Sequence, residues 1–129
     1  MSKTFYVDVD GTLLSSELDN RFKASIEKIG FDETVTWYKS CEIDNLSINY
    51  SLVSHLIYLK LQGHKLILWT NRGEENIPMT KRNLGYIWYL FDEHQFFAGT
   101  KGKCSLNGVI YDNEEKYLSC GAEGKLYKF

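Results

Sequence analysis

Short runs of apolar and β-branched residues recur along the chain, and most of them end at an acidic or polar residue. The runs at 4–9, 65–69 and 108–111 are mostly apolar on both faces, which is typical of strands buried in a parallel sheet. A weaker run follows at 95–98, and residues 125–129 have the composition of a last strand. The pattern therefore predicts five short strands.

Helical periodicity lies between these predicted strands. Residues 49–62 repeat apolar positions at helical spacing, and Gly63 follows them as a C-terminal cap. We expect another helix to open at Pro78, because proline is favoured in the first turn. Strands that alternate with helices predict an α/β fold, here a Rossmann-like, doubly wound, mainly parallel sheet in a three-layer α/β/α arrangement. The buried stripe of the second helix is expected to be Leu84, Ile87, Trp88 and Phe91.

Residues 15–48 interrupt this alternation. They carry seven acidic against four basic residues, with weak periodicity. A helix is possible at 20–29 and a strand at 34–38, where β-branched residues cluster. We interpret 15–48 as a flap or minimal cap, a small lid inserted after the first strand of a single domain that spans 1–129.

Composition and charge narrow the class of protein. The chain has 129 residues and 43% hydrophobic residues, enough apolar side chains for one folded core, so disorder and coiled coil are excluded. The net charge of −2 gives no overall positive field that would attract nucleic acid or anionic membranes. An anionic substrate must therefore be held by local charges.

The spacing of the cysteines and the hydropathy of the chain indicate its cellular location. The three cysteines form no CxxC pair, which favours a reducing compartment over a disulfide framework. The first residues show no signal-peptide core, and the longest apolar run, 86–91, is far shorter than a membrane span. We therefore expect a cytoplasmic protein with no membrane partner, and nothing in the sequence indicates an oligomer.

Polar side chains that carry chemistry follow the ends of the predicted strands. Asp8 and Asp10 end the first strand, Thr70 follows the second, and Asp112 ends the run at 108–111. In doubly wound sheets these strand ends meet at one crevice. Two acids at i and i+2 would repel each other unless a cation is present, and hard oxygen ligands suit Mg²⁺. The pattern predicts a site that combines carboxylates, a hydroxyl and a divalent metal.

The segment FYVDVDGTLL resembles the first motif of the haloacid dehalogenase superfamily, an apolar strand followed by DxDGT. The later strand ends match the remaining motifs in order, so the resemblance covers residues 4 to about 113. It implies that Asp8 is a nucleophile that forms an aspartyl-phosphate and that Asp10 is the general acid and base. It also implies that Thr70 donates to a phosphoryl oxygen, and that a lysine, Lys103 rather than Lys101, neutralises the transferring phosphate.

The metal ligands implied by the resemblance are the Asp8 carboxylate, the Asp10 main-chain carbonyl and the Asp112 carboxylate. The fourth motif departs from the usual acidic pair, because Asn113 follows Asp112, and Asn113 can still hold a metal-bound water. Arg72 either contacts a substrate phosphate or sugar or is solvated. The expected substrate-binding residues are Thr12, Asn71, Arg72 and Lys101.

These residues predict a Mg²⁺-dependent phosphomonoester hydrolase. The stretch between Thr70 and Lys103 has no room for a large cap, so the open site favours nucleotides, polynucleotide ends or another large phosphorylated substrate. Trp37, Tyr38 and Lys39 could stack on a base and meet its phosphate, or pack within the lid. The alternative function is a binding or regulatory protein that has kept the fold but lost turnover. A receiver domain fits poorly, since its acidic pair is adjacent and its phosphorylated Asp ends a different strand.

Overall fold

A parallel sheet forms the centre of the molecule. The computed structural model describes residues 2–96 and 106–129, and within them five strands pair in the order β3-β2-β1-β4-β5. All four pairings between neighbouring strands are parallel. The strands are β1 (Thr4–Val7), β2 (Lys65–Trp69), β3 (Glu93–Gln95), β4 (Leu106–Asp112) and β5 (Gly121–Leu126).

Helices connect the strands and follow the predicted order. The helix predicted at 49–62 is present, and Pro78 lies in the first turn of another. Within the described ranges, no helix is long and apolar enough to cross a bilayer. The helices are α1 (Glu17–Ile29), α2 (Phe31–Ser40), α3 (Tyr50–Leu61), α4 (Ile77–Leu84) and α5 (Glu115–Leu118), with 3₁₀ turns at Glu74–Asn76 and Gly85–Leu90.

The strand order reverses between β1 and β4. The chain runs outward from β1 through β2 to β3, and then returns to place β4 on the other side of β1 and β5 beyond it. Parallel connections of this kind leave a crevice at the carboxyl ends of the two strands where the order reverses. Asp8 and Asp112 lie at this crevice, since they directly follow or end β1 and β4.

Apolar side chains cover both faces of the sheet. On one face, Val7 and Leu68 pack in the main core together with Leu56 of α3. On the other face, Ile110 belongs to a smaller cluster, and Tyr117 of α5 packs against that cluster. The predicted α/β fold with a parallel sheet flanked by helices is therefore confirmed.

The structure corrects some predicted boundaries. The strand expected at 34–38 is wrong, because these residues belong to α2, where Thr34 is buried and its hydroxyl donates to the carbonyl of Gly30 one turn earlier. The run at 95–98 is represented by β3, which begins earlier; residues 97 and 98 lie outside the described residues. The last strand, β5, also begins earlier than expected and ends at Leu126. We call residues 15–48, which contain α1 and α2, the insertion.

Candidate active site

The loop after β1 is a tight turn that buries two carboxylates. The amides of Leu13 and Leu14 both donate to the carbonyl of Val9, at 3.0 and 2.9 Å, which folds the loop back on itself. Asp8 and Asp10 are 6% and 7% exposed, so both acids sit at the bottom of a crevice rather than in open solvent. Burying two acids this close is unfavourable unless each is compensated.

Asp8 is held by groups from two parts of the chain. Its amide donates to the carbonyl of Tyr111 in β4 at 2.9 Å, which ties the loop to the neighbouring strand. The Thr12 hydroxyl donates to Asp8 Oδ2 at 3.1 Å. Thr12 is fully buried, so the structure places this predicted substrate-binding residue behind the Asp8 carboxylate.

Three oxygen atoms converge beside Asn113. With its amide oriented to satisfy its neighbours, the Asn113 nitrogen donates to Asp8 Oδ2 at 3.0 Å, to Asp112 Oδ1 at 3.1 Å and to the Asp10 carbonyl at 3.2 Å. These are the three groups that the family resemblance implied as metal ligands. Two carboxylates and one carbonyl that meet at one point are a donor set that suits Mg²⁺.

Side chains alone do not form this donor set. Among residues 2–96 and 106–129, no three His, Cys, Asp or Glu side chains are grouped closely enough to hold a metal ion. The third oxygen comes from the main chain of Asp10. A cation here would therefore need the backbone of the β1 loop, and Asn113 would have to turn its amide nitrogen away.

Arg72 forms a buried ion pair with Asp10. Its Nε and Nη2 donate to the two Asp10 oxygens at 2.9 and 2.8 Å, and its side chain is 0% exposed. The Nη1 atom donates to Thr80 Oγ1 and Asn83 Oδ1 of α4, both at 2.9 Å. Burial disfavours the charged guanidinium, but the Asp10 carboxylate outweighs burial and raises the pKa of Arg72. The solvated alternative for Arg72 is therefore wrong.

Thr70 and Asn71 follow β2 at the same edge of the sheet. Thr70 is 1% exposed, and its hydroxyl accepts a hydrogen bond from the Arg72 amide at 3.1 Å. Because Thr70 is the acceptor in this bond, the bond does not use the hydroxyl proton. Asn71 is exposed at the wall of the crevice.

The crevice opens into one cavity of about 710 Å³, a volume within the range of small-molecule sites. It collects most of the residues that the sequence singled out. Lys101 and Lys103 lie outside the described residues. The predicted residues that line it are Asp8, Asp10, Thr70, Asn71, Arg72, Asp112 and Asn113.

Sequence reasoning missed several groups that support the site. Asn49 caps α3 by accepting from the Leu52 amide at 3.2 Å, and its amide nitrogen donates to the Thr12 carbonyl at 3.1 Å. Main-chain hydrogen bonds from the Tyr127 amide to the Asp112 carbonyl (2.8 Å) and from the Phe129 amide to the Gly11 carbonyl (2.9 Å) hold the end of β4 and the β1 loop in place. Main-chain contacts of this kind leave no signal in residue types.

Comparisons with known proteins test the fold. No family model and no curated protein sequence matches the chain. A protein assigned as a β-phosphoglucomutase from Thermotoga maritima is similar in structure, with a TM-score of 0.57, 13% identity and coverage of 93% of this chain and 80% of that one. A chain of the Pnkp1/Rnl/Hen1 complex is similar at a TM-score of 0.61 and 16% identity. That match covers all of this chain, and this chain spans about half, 48%, of the length of the other chain.

This chain shares its α/β fold with both solved structures, in agreement with the fold that the first-strand motif suggested. The chain has the haloacid dehalogenase-like fold. At 13% and 16% identity the likeness concerns the fold alone. In this haloacid dehalogenase-like fold, the β1 loop and the end of β4 occupy the crevice described above.

Gly11 is required by the β1 loop of the haloacid dehalogenase-like fold. Its φ is +83°, and a Cβ atom there would overlap with the Asn113 side-chain amide. We expect Gly11→Ala to lower the free energy of unfolding by about 1–3 kcal/mol and to displace Asn113. Urea unfolding gives the first effect. Gly63→Ala is the matched control, because Gly63 has φ +85° with nothing within 4 Å of its added Cβ; equal losses for both variants would mean that the overlap is unimportant.

Asp19 is an acidic group of the insertion that faces the site. Burial and, after it, repulsion from the Asp10 carboxylate raise the pKa of this carboxyl to about 7, against the opposing charges of Lys23 and Arg72. Asp19 lines the same cavity as Asp10. Near neutral pH the site therefore contains a group that titrates.

This titration predicts how stability depends on pH. Because the folded pKa of Asp19 lies above its ordinary value of 3.8, the folded state binds more protons between pH 4 and 7, and stability falls as pH rises through that range. We expect Asp19→Asn to raise the free energy of unfolding at pH 8 by about 1–3 kcal/mol and to change it little at pH 4. Urea unfolding at both pH values, without divalent cations, checks this. Glu27→Gln, an exposed change on α1, is the control, and a gain that is the same at both pH values would contradict the assignment.

Proposed function

We propose that this chain is a Mg²⁺-dependent phosphomonoester hydrolase that works through an aspartyl-phosphate on Asp8. The observation that carries the proposal is a pair of buried carboxylates, Asp8 and Asp10, that line one cavity at the reversal point of the sheet. One acid is fixed by a hydroxyl and the other by a guanidinium. Acids held in different environments are suited to different chemical roles.

In the first step, an Asp8 oxygen attacks phosphorus, and the bond between phosphorus and the leaving oxygen breaks. Asp10 gives its proton to that oxygen, which leaves as an alcohol. In the second step, Asp10 takes a proton from water, the water oxygen attacks phosphorus, and phosphate leaves Asp8. Asp10 is then protonated again, so the two steps balance.

Arg72 sets the position of Asp10. Two parallel hydrogen bonds from its guanidinium fix the plane of the Asp10 carboxylate. Arg72 is therefore proposed to position Asp10 for its role in both steps.

Mg²⁺, held by the Asp8 carboxylate, the Asp10 carbonyl and the Asp112 carboxylate, would offset the negative charge that Asp8 and the phosphate bring together. Asn113 would hold a water beside it. Thr70 would donate its hydroxyl to a phosphoryl oxygen, and Lys103, or its neighbour Lys101, would neutralise the transferring group.

The substrate class follows from the open site. We propose nucleotides, polynucleotide ends or another large phosphorylated molecule whose bulk remains outside the crevice. The insertion, 15–48, would act as a lid on a single domain, 1–129, in the cytoplasm. Asn71 and Thr12 complete the proposed binding residues, Asn71 at the wall and Thr12 through Asp8.

The test is phosphate release by the purified protein. We expect activity with Mg²⁺ across a panel of phosphomonoesters, and loss of that activity in EDTA that is restored by added Mg²⁺. A folded protein that releases no phosphate from any member of the panel would favour the alternative, a binding or regulatory protein. In that case the Asn113 amide, which already satisfies the three converging oxygens, would explain the loss of turnover.

A further inference from the structure

The two helices of the insertion contribute little to the core. Helices α1 and α2 contain 13 and 10 residues, yet only Leu18 and Thr34 of these are buried. An amphipathic helix normally turns its apolar stripe toward the core. Here several apolar and aromatic side chains line the cavity, and one of them, Tyr38, also packs against the main core.

The lining residues lie along one stripe of each helix. On α2, Phe31, Val35 and Tyr38 are spaced i, i+4 and i+7 and share one face. On α1, Phe22 lies one turn after Asp19. The rings of Phe22 and Tyr38 meet edge to face, with centroids 5.2 Å apart. The insertion therefore presents a continuous apolar wall, defined here as Phe22, Phe31, Val35 and Tyr38.

The apolar wall extends well beyond the phosphate site. Ile29 lies ten positions after Asp19 in α1, a separation of about 15 Å along the helix axis. Phe31 follows at the far end, where its side chain lines the cavity and yet is 61% exposed. A wall of this length is longer than one nucleotide, since stacked nucleotides rise by about 3.4 Å.

A polar group lies between the catalytic acids and the apolar wall. Asp19 is half-buried in the first turn of α1, and its carboxylate accepts no hydrogen bond from a described residue. A carboxylate in that position can accept a hydrogen bond from a hydroxyl without requiring a further charge. Lys23 and Lys39 line the cavity on the same side.

Along the cavity, the catalytic acids are followed by Asp19 and then by the apolar wall. From this order we propose that the apolar wall binds the bases of a phosphorylated oligonucleotide end. The phosphate would lie at Asp8, the adjoining sugar would lie beside Asp19, and the first base would contact Phe22 and Tyr38. Phe31 would stack on the next base. The proposal rests on the proposed function for the phosphate itself, and it assigns to the wall a preference for oligonucleotides over mononucleotides.

The charges of the cavity indicate how such a ligand would be held. Seven acidic residues line the described part of the cavity, against three lysines and Arg72, which is already paired with Asp10. Electrostatic attraction to the backbone is therefore weak, and stacking has to supply the affinity. Because the slope of log affinity against log salt scales with the number of phosphates neutralised, we expect a shallow salt dependence.

The test compares Phe31→Ala with the wild type on three substrates: an oligothymidylate with a 5′ or 3′ phosphate, a thymidine monophosphate and glycerol phosphate. We expect kcat/KM for the oligonucleotide to fall about tenfold, with changes below about twofold for the other two. Phe31→Trp should keep the wild-type preference. Tyr89→Ala is the matched control, because Tyr89 is 76% exposed and does not line the cavity.

A second measurement separates this inference from the proposed function. Binding of a fluorescent, phosphorylated oligothymidylate is followed by anisotropy, which needs no turnover. If Phe31→Ala binds the oligonucleotide more weakly than the wild type, base binding by the apolar wall is supported even when no phosphate is released. If phosphate is released but both proteins bind equally well, base binding by the wall is overturned and the proposed function is not. A Phe31→Ala effect that is equal on all three substrates, or a preference for phosphotyrosyl peptides over oligonucleotides, also overturns it.

Discussion

Replacing Arg72 by methionine is expected to lower the free energy of unfolding by about 3–5 kcal/mol. The substitution removes the partner of a carboxylate that is 7% exposed and leaves Asp10 charged and unpaired. It also removes the donor that satisfies Thr80 and Asn83. Because methionine fills a volume similar to that of arginine, the substitution leaves little cavity. The loss in free energy of unfolding therefore reports mainly the lost ion pair and hydrogen bonds. Urea unfolding at pH 7 checks the prediction.

Two further variants give this prediction its controls. The double variant Asp10→Asn/Arg72→Met should recover part of the loss, because no buried charge then lacks a partner. Arg82→Met is the matched surface change. Arg82 is an exposed arginine that pairs with Glu42 and Asp44, and exposed pairs contribute about 0–1 kcal/mol. Equal losses for Arg72→Met and Arg82→Met would contradict the stabilising role of the buried pair.

The activity of these variants tests the positioning role separately. Arg72→Lys keeps the charge but cannot donate two parallel hydrogen bonds to Asp10. We expect its kcat to fall more than its KM rises, because Asp10 would remain near the substrate but lose its fixed orientation. A variant that only lost direct contact with substrate would instead raise KM.

The placement of Asp8, Asp10 and Asp112 at one edge of the sheet could be predicted from the strand pattern. Each follows or ends a strand that is apolar on both faces, and such runs in an α/β alternation imply a parallel sheet. Once the strands are parallel, their carboxyl ends lie at one edge, and the acids are brought together. Local pattern and topology were enough for this part of the site.

Other features depend on contacts that local pattern does not contain. A strand was predicted at 34–38 because Thr34, Val35 and Thr36 are β-branched, but packing of α2 on α1 and the Thr34 hydrogen bond to Gly30 favour a helix. The pairing of Arg72 with Asp10 joins residues 62 positions apart, so no short motif reports it. Asp19 is also unremarkable in sequence, since an acid in the first turn of a helix is common.

Replacing Asp8 by asparagine is expected to abolish phosphate release, by a factor of at least about 10³ in kcat, if Asp8 is the nucleophile. An amide oxygen cannot form the aspartyl-phosphate, yet asparagine has the shape of aspartate and can still accept the Thr12 hydrogen bond. The fold should therefore be retained. Removal of one charge from a site shared with Asp10 and Asp112 should leave the unfolding temperature equal to or above that of the wild type.

Steady-state phosphate release, with thermal unfolding in parallel, measures both effects. Glu75→Gln is the matched control, because Glu75 lines the same cavity and has no proposed chemical role. Beryllofluoride gives a readout that does not depend on turnover, since it occupies the place of a phosphoryl group on a carboxylate. With Mg²⁺, it should raise the unfolding temperature of the wild type and of Glu75→Gln, and leave that of Asp8→Asn unchanged. Stabilisation of Asp8→Asn by beryllofluoride, or residual turnover within tenfold of the wild type, would assign the nucleophile to another residue.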